Sequence, residues 1–296
     1  MNIINIAVLI TCHNRKLKTL TCLAALFAQK TKIEYKICVY LVDDGSQDGT
    51  GDAVRRKYPQ VKVMQGDGNL YWNGGMRLAF AEAMKQDCDY DYYLWLNDDT
   101  VLYPHALNLL LSESWALSDS DASSSIMVGA TKDSKGKLSY GGVKVYSWWY
   151  PLKFRSIEPG RKSQACDTMS GNCVLIPSQV AKTVGNLDPA FIHNFGDFDY
   201  GLRAIKKSCS IWMIPGYIGS CEFHLPAWRE PDLSLREKLK EVNTPKGMPL
   251  QEWKVYSQRH AGLLWPIYWL TPYIKLLITS IMHDLVAMFR IKWGKV

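Results

Sequence analysis

Three short apolar runs, Ile3 to Ile10, Ile37 to Val42 and Tyr92 to Leu96, each stop at a cluster of polar residues, and the stretches between them carry helical patterning. An apolar run too short for a buried helix and without alternation predicts a strand covered on both faces. Such strands separated by helices build βαβ units. The fold class expected is therefore α/β, a Rossmann-like domain around a mostly parallel central sheet. Lys16 to Gln29 places Leu17, Leu20, Leu23 or Ala24, and Phe27 at helical spacing. Beyond Val42, helices are predicted over Gly49 to Lys57 and Gly75 to Gln86, with a short strand at Val61 to Met64 between them.

In such sheets ligands bind beyond the carboxyl ends of the strands, so chemistry is sought there. Those ends read Thr11-Cys12-His13-Asn14-Arg15, Asp43-Asp44-Gly45-Ser46 and Asn97-Asp98-Asp99-Thr100.

Further along, Ser112 to Ser125 is rich in serine and aspartate and reads as a helix end and loop. Strands resume near Ile126 to Ala130, Lys137 to Val145 and Asn172 to Ile176, with the aromatic cluster Trp148-Trp149-Tyr150 among them. The division expected is a catalytic domain over residues 1–230 and a helical segment over 231–296. In that segment Leu233 to Val242 is densely charged, while Ala261 to Ile274 is almost wholly apolar and broken by Pro266 and Pro272. Lys275, His283, Asp284 and the prolines interrupt the ~20 apolar residues a bilayer core requires. Thr271, Lys275, Thr279 and His283 form one polar stripe instead, with Trp265, Trp269, Arg290, Lys292, Trp293 and Lys295 nearby. A helix lying in a membrane interface, one pairing with a second copy and one capping the core share this pattern.

At 296 residues the chain is long enough for a large core, which excludes small disulfide-stapled folds. Its eight cysteines are scattered without a CxxC pair and are expected to be reduced, as in the cytoplasm. No basic n-region with a long apolar h-region opens the chain, so a cytoplasmic location is expected, peripheral on the inner face of the membrane if the last segment binds lipid. A net charge of +7 favours anionic partners. Lysine and arginine are spread along the chain without a nucleic-acid motif, so no nucleic acid is expected.

Asp98 and Asp99 offer the carboxylate oxygens that Mg²⁺ or Mn²⁺ prefers, usually shared with substrate phosphates. The same residues also make a good helix cap. Asp43-Asp44 suits a base or ribose hydrogen bond, or a plain turn. Gly66 to Gly75 supplies glycine-rich backbone whose amides favour anionic oxygens, or again a turn without ligand.

Taken together, Thr11 to Arg15, Asp43 to Ser46, Asn69 to Gly75 and Asn97 to Asp99 follow the order found in glycosyltransferase family 2. The chain resembles that family, and particularly its rhamnosyltransferase-like members, from Ile6 to His224, about three quarters of its length. The resemblance implies a GT-A fold and an inverting, metal-dependent transfer of a sugar, such as rhamnose from dTDP or UDP, onto a bacterial surface glycan or polyprenyl-linked acceptor. It implies substrate contacts from Thr11, Arg15, Asp43, Asp44, Asn69, Trp72, Asn73, Gly74, Gly75, Asp98 and Gly171. Thr11 and Asp44 would meet the base and Asp98 the ribose or the metal. Asp99 and His224 would hold Mn²⁺ or Mg²⁺. Asn97 replaces the first aspartate of the family's Asp-x-Asp motif. Asp197, in Phe195-Gly196-Asp197-Phe198-Asp199, takes the position of the general base, with Gly196 where the family usually has glutamate. Met169-Ser170-Gly171-Asn172 resembles the acceptor-side loop, and Trp148, Trp149 and Tyr150 offer sugar-stacking faces or core packing. A non-catalytic nucleotide-binding or membrane-associated module is the competing class.

Overall fold

The computed structural model describes residues 3–85, 89–118, 125–147, 149–230 and 233–293, with side chains left out at 118, 229, 281 and 283–293. Trp148, the His283 end of the polar stripe and the close of the serine-rich stretch lie outside the described residues or side chains. Two compact units are formed: residues 1–145 with 154–223, and residues 146–153 with 224–296.

The first unit runs β1 (Ile4–Cys12), α1 (Lys16–Phe27), β2 (Tyr35–Asp43), α2 (Thr50–Lys57), β3 (Lys62–Gln65), α3 (Tyr71–Lys85), β4 (Tyr92–Leu96), β5 (Val101–Leu102) and α4 (Ala106–Ser118). It continues through β6 (Ser125–Lys132), β7 (Leu138–Tyr140), β8 (Gly142–Val145), β9 (Phe154–Ser156), β10 (Gln164–Ala165), β11 (Thr168–Met169), β12 (Cys173–Pro177), α5 (Ser178–Val184), α6 (Gly196–Lys206) and β13 (Ser210–Ser220).

The main sheet has the order β10-β13-β6-β12-β4-β1-β2-β3, with β5 on β13 and β7 on β6. A second sheet is ordered β11-β8-β9. β1 pairs in parallel with β2 and β4, β2 with β3 and β13 with β6, while β12 runs antiparallel between β4 and β6. The sheet is thus mainly parallel but mixed, as expected of a GT-A fold. Ile6 to Ile10 are fully buried because the strand is covered on both sides. One core gathers β-sheet residues with Met76, Phe80, Val180 and Tyr200 from α3, α5 and α6. The other gathers them with Leu23, Leu26, Val54 and Leu107 from α1, α2 and α4.

Local details depart from the sequence expectation. In α1 the buried residues are Thr19, Cys22, Leu23 and Leu26, whereas Leu17 is 80% exposed. Leu23 is buried as expected and Leu20 and Phe27 pack against the core, but the buried face is centred one position earlier, so that Thr19 and Cys22 face the polar end of β4. α3 begins at Tyr71, four residues before the expected start, so Gly74 and Gly75 lie inside the helix.

The second unit contains α7 (Leu235–Val242), α8 (Leu250–His260) and α9 (Trp265–Trp293). Ser234 caps α7 reciprocally with Glu237. The prolines that interrupt the apolar run do not end the helix: α9 is continuous through Pro272. Pro266 falls in the first turn, where the missing N–H has no intrahelical partner anyway, and Pro272 removes a single ladder bond.

Candidate functional site

Chain order reverses at β1: β2 and β3 follow on one side, while β4 lies on the other. Residues after β1 and β4 therefore meet across the crevice that open α/β sheets offer to ligands. The Arg15 guanidinium donates to Asp98 Oδ1 (3.2 Å) and Asp99 Oδ2 (2.8 Å) across it. Thr19 Oγ1 donates to Asp98 Oδ2 (3.2 Å), and the Cys221 thiol lies 3.4 Å from Asp99 Oδ1. Burial pushes the Asp98 carboxyl up to about 7, opposed by the Arg15 cation and reinforced by Asp99.

The glycine-rich segment does gather backbone donors around an anion, and that anion is internal. Gly68 N–H (2.9 Å) and Leu70 N–H (3.3 Å) donate to Asp44 Oδ1, and Tyr71 N–H (2.9 Å) to Asp44 Oδ2. Asp44 thereby fixes the loop that starts α3. Asp43 is buried and accepts from Ser46 N–H (3.1 Å) and Gly51 N–H (3.0 Å), which holds the β2–α2 turn. Asn69 is exposed on the loop.

Gly75 lets α3 approach β1, since a Cβ there would lie 2.1 Å from Thr11 Oγ1. Asn73 is fully buried and donates to the carbonyls of Asp188 (3.0 Å) and Phe191 (2.6 Å), tethering the segment that leads to α6. A Cβ on Gly196 would fall 1.8 Å from Asn73 Oδ1. Gly196 is therefore matched to the asparagine opposite.

Asp197 sits in the first turn of α6, behind Phe195, whose φ is +68°. Its Oδ2 accepts from Gly171 N–H (2.9 Å) and its Oδ1 from Phe198 N–H (2.8 Å). Burial pushes its carboxyl up to about 6 against these two bonds. Gly171 packs under the Trp72 ring, where a Cβ would stand 2.4 Å from a ring carbon. Trp72 Nε1 in turn donates to Asn97 Oδ1 (2.7 Å). One continuous line of contacts thus joins Asp197, Gly171, Trp72 and Asn97 to the Asp98–Asp99 pair. Asn97 serves this line as the acceptor for Trp72. Among the described residues four non-glycine positions have positive φ, and Asn14, Tyr71 and Phe195 of these border the site, the kind of strain that clusters at functional sites.

This arrangement has a sequence counterpart. The profile of glycosyl transferase family 2 matches residues 7–185. The chain belongs to glycosyl transferase family 2. No curated protein matches it. As a family 2 glycosyltransferase it takes a nucleotide-sugar donor and an acceptor. The matched segment includes Thr11, Arg15, Asp44, Trp72, Gly75, Asp98, Asp99 and Gly171, all at the crevice or on the contact line described above. Asp197 lies beyond its end.

Members of the family commonly use a divalent metal. Among the described residues no three His, Cys, Asp or Glu side chains gather into a metal cage. Mg²⁺ and Mn²⁺ sites in nucleotide enzymes need only one or two carboxylates together with phosphates and water. Asp98 and Asp99 meet that requirement: they are adjacent hard-oxygen donors whose charge is partly offset by Arg15. His224 is exposed and follows three residues after Cys221, whose thiol touches Asp99. Sequence reasoning passed over Thr19 and Cys221, which touch the carboxylates. A helix-face hydroxyl and a strand-end thiol carry no motif.

Proposed function

We propose that this family 2 glycosyltransferase is an inverting, divalent-metal-dependent enzyme, with Asp197 as its general base. The sugar, rhamnose by motif resemblance, moves from a dTDP- or UDP-sugar onto a surface glycan or a polyprenyl-linked acceptor. The observation that carries the reading is the Asp197 carboxylate. It is fixed at both oxygens by backbone N–H groups and raised to about 6, where an acid–base group is effective near neutral pH.

Asp197 takes the proton from the acceptor hydroxyl as that oxygen bonds to the anomeric carbon. The bond from that carbon to the donor diphosphate breaks on the opposite face, and the nucleoside diphosphate departs with its electron pair. Asp99 would hold the metal, with Asp98 beside it, and a bound Mg²⁺ or Mn²⁺ would supply charge stabilisation to the leaving diphosphate. Arg15 would then release its ion pairs toward the same anion. Thr11 and the loop fixed by Asp44 would border the nucleoside. Trp72, stacked over Gly171, would close the wall between donor and base, and exclude water from the reacting oxygen.

The test is a panel of nucleotide-sugars with an acceptor, read by nucleoside diphosphate release with and without Mn²⁺. Release confined to one donor, dependent on metal and lost in Asp197→Asn, is expected. Full turnover by that variant sinks the base assignment.

A further inference from the structure

The longest apolar surface lies outside the site. Of the twenty large hydrophobic side chains exposed among the described residues, eight fall between Leu263 and Met282. They are Leu263, Leu264, Ile267, Leu270, Ile274, Leu277, Ile278 and Met282, running ~30 Å along a 3₁₀ turn (Gly262–Leu264) and α9 at 1.5 Å per residue. Their spacing keeps them on one side of the helix. Leu276 and Ser280, on another side, are buried, and α9 packs on α7 and α8. The helix therefore has one face in the unit's core and a second apolar face left uncovered.

The surroundings of that face identify its partner. Tyr268 stacks on Tyr150 (4.7 Å between centroids) and donates a hydrogen bond to the Trp149 carbonyl, so the 146–153 loop is fastened to α9. Trp149 and Tyr146 of this loop are 65% and 57% exposed, and Lys153 lies over the Tyr146 ring. Amphipathic aromatic rings beside an apolar stripe suit the headgroup level of a bilayer. From residue 261 onward the chain has four basic residues (Lys275, Arg290, Lys292, Lys295) against one acidic residue (Asp284). A second copy brings the same excess of positive charge, whereas an anionic lipid surface complements it. No described helix is long and apolar enough to cross a membrane, which leaves a position in the plane of the surface.

We infer that α9 and the 146–153 loop form one platform that docks on a bilayer containing anionic lipid, with the Leu263–Met282 stripe seated at the boundary between headgroups and acyl chains. This goes beyond the transfer reading and stands without it, because it rests on the second unit alone.

Flotation of the full chain with phosphatidylcholine vesicles, and with vesicles in which one lipid in four is phosphatidylglycerol, tests it. Binding is expected to the anionic vesicles and to fall steeply at ~0.5 M NaCl, where charges are screened within a few ångströms. Ile274→Asp with Ile278→Asp should lower the bound fraction roughly tenfold or more while leaving the melting temperature unchanged, since both side chains are at least half exposed. If that variant melts early, Lys275→Glu with Lys292→Glu takes its place and must lower binding to anionic vesicles alone. No binding to either vesicle overturns the inference. So does binding indifferent to both variants, or a dimer in sedimentation that the first variant splits while vesicles remain unbound.

Discussion

Asp197→Asn should weaken catalysis and strengthen the fold at the same time. The folded carboxyl stands at about 6 against an ordinary 3.8, so burial disfavours its ionised form. A folded value above the unfolded one means that the native state holds the proton more tightly. Stability is then greatest at low pH and is lost as pH rises from about 4 to about 6. Two pKa units correspond to ~3 kcal/mol. Asparagine escapes that penalty but keeps only one carbonyl oxygen for the two backbone N–H groups of Gly171 and Phe198, which costs ~1–2 kcal/mol. The net expectation is a variant ~1–2 kcal/mol more stable than the parent at about pH 8, or a few degrees in Tm, and less stable at about pH 4. The crossover lies near pH 5. Denaturation of both proteins across this range, beside diphosphate release, makes the measurement. Parent turnover should fall about tenfold per pH unit below about 6, because the base is protonated there. A stability gap that does not change with pH, or that narrows as pH rises, refutes the reasoning.

Gly171→Ala drives a methyl group to 2.4 Å from the Trp72 ring, so it should destabilise by ~1–3 kcal/mol and reduce transfer; unchanged turnover would show that Trp72 moves freely. Arg15→Ala leaves Asp98 and Asp99 facing each other without a cation and should cost ~1–3 kcal/mol in metal-free buffer. Mn²⁺ should then raise the Tm of the variant more than that of the parent, and an equal rise in both speaks against a metal on these carboxylates. Gly196→Glu should unfold or severely destabilise α6, because its Cβ meets Asn73 Oδ1. Adding Asn73→Ala should recover part of the loss, as a double-mutant melting cycle will show.

The strand runs and the polar clusters that end them were legible because burial on two faces leaves a continuous apolar signature, and because helices between such strands impose parallel pairing. Motif order singled out Asp98, Asp99 and Asp197, which lie just after β4 and in the first turn of α6. What the motifs do not carry is which anion a backbone nest encloses. The amides of Gly68, Leu70 and Tyr71 hold Asp44, and only the return of the chain from β3 to β2 reveals that. The starting point of α3 was misplaced for a related reason. Gly74 looks like a loop residue in sequence, yet it sits inside the helix, and the end of β1 leaves no room for a Cβ on Gly75 beside it.

By itself, the sequence determined the α/β class, the family and the carboxylates at the strand ends, since these follow from local periodicity and short motifs. Tertiary structure decided the rest, because each such feature needs residues distant in the chain to come within bonding distance. It set Arg15 between Asp98 and Asp99, 83 and 84 positions away. It bound Asp197 to Gly171, and it fastened the 146–153 loop to α9. An ion pair, a shared hydrogen bond and a ring stack depend on position in space, which the order of residues encodes only through the whole fold.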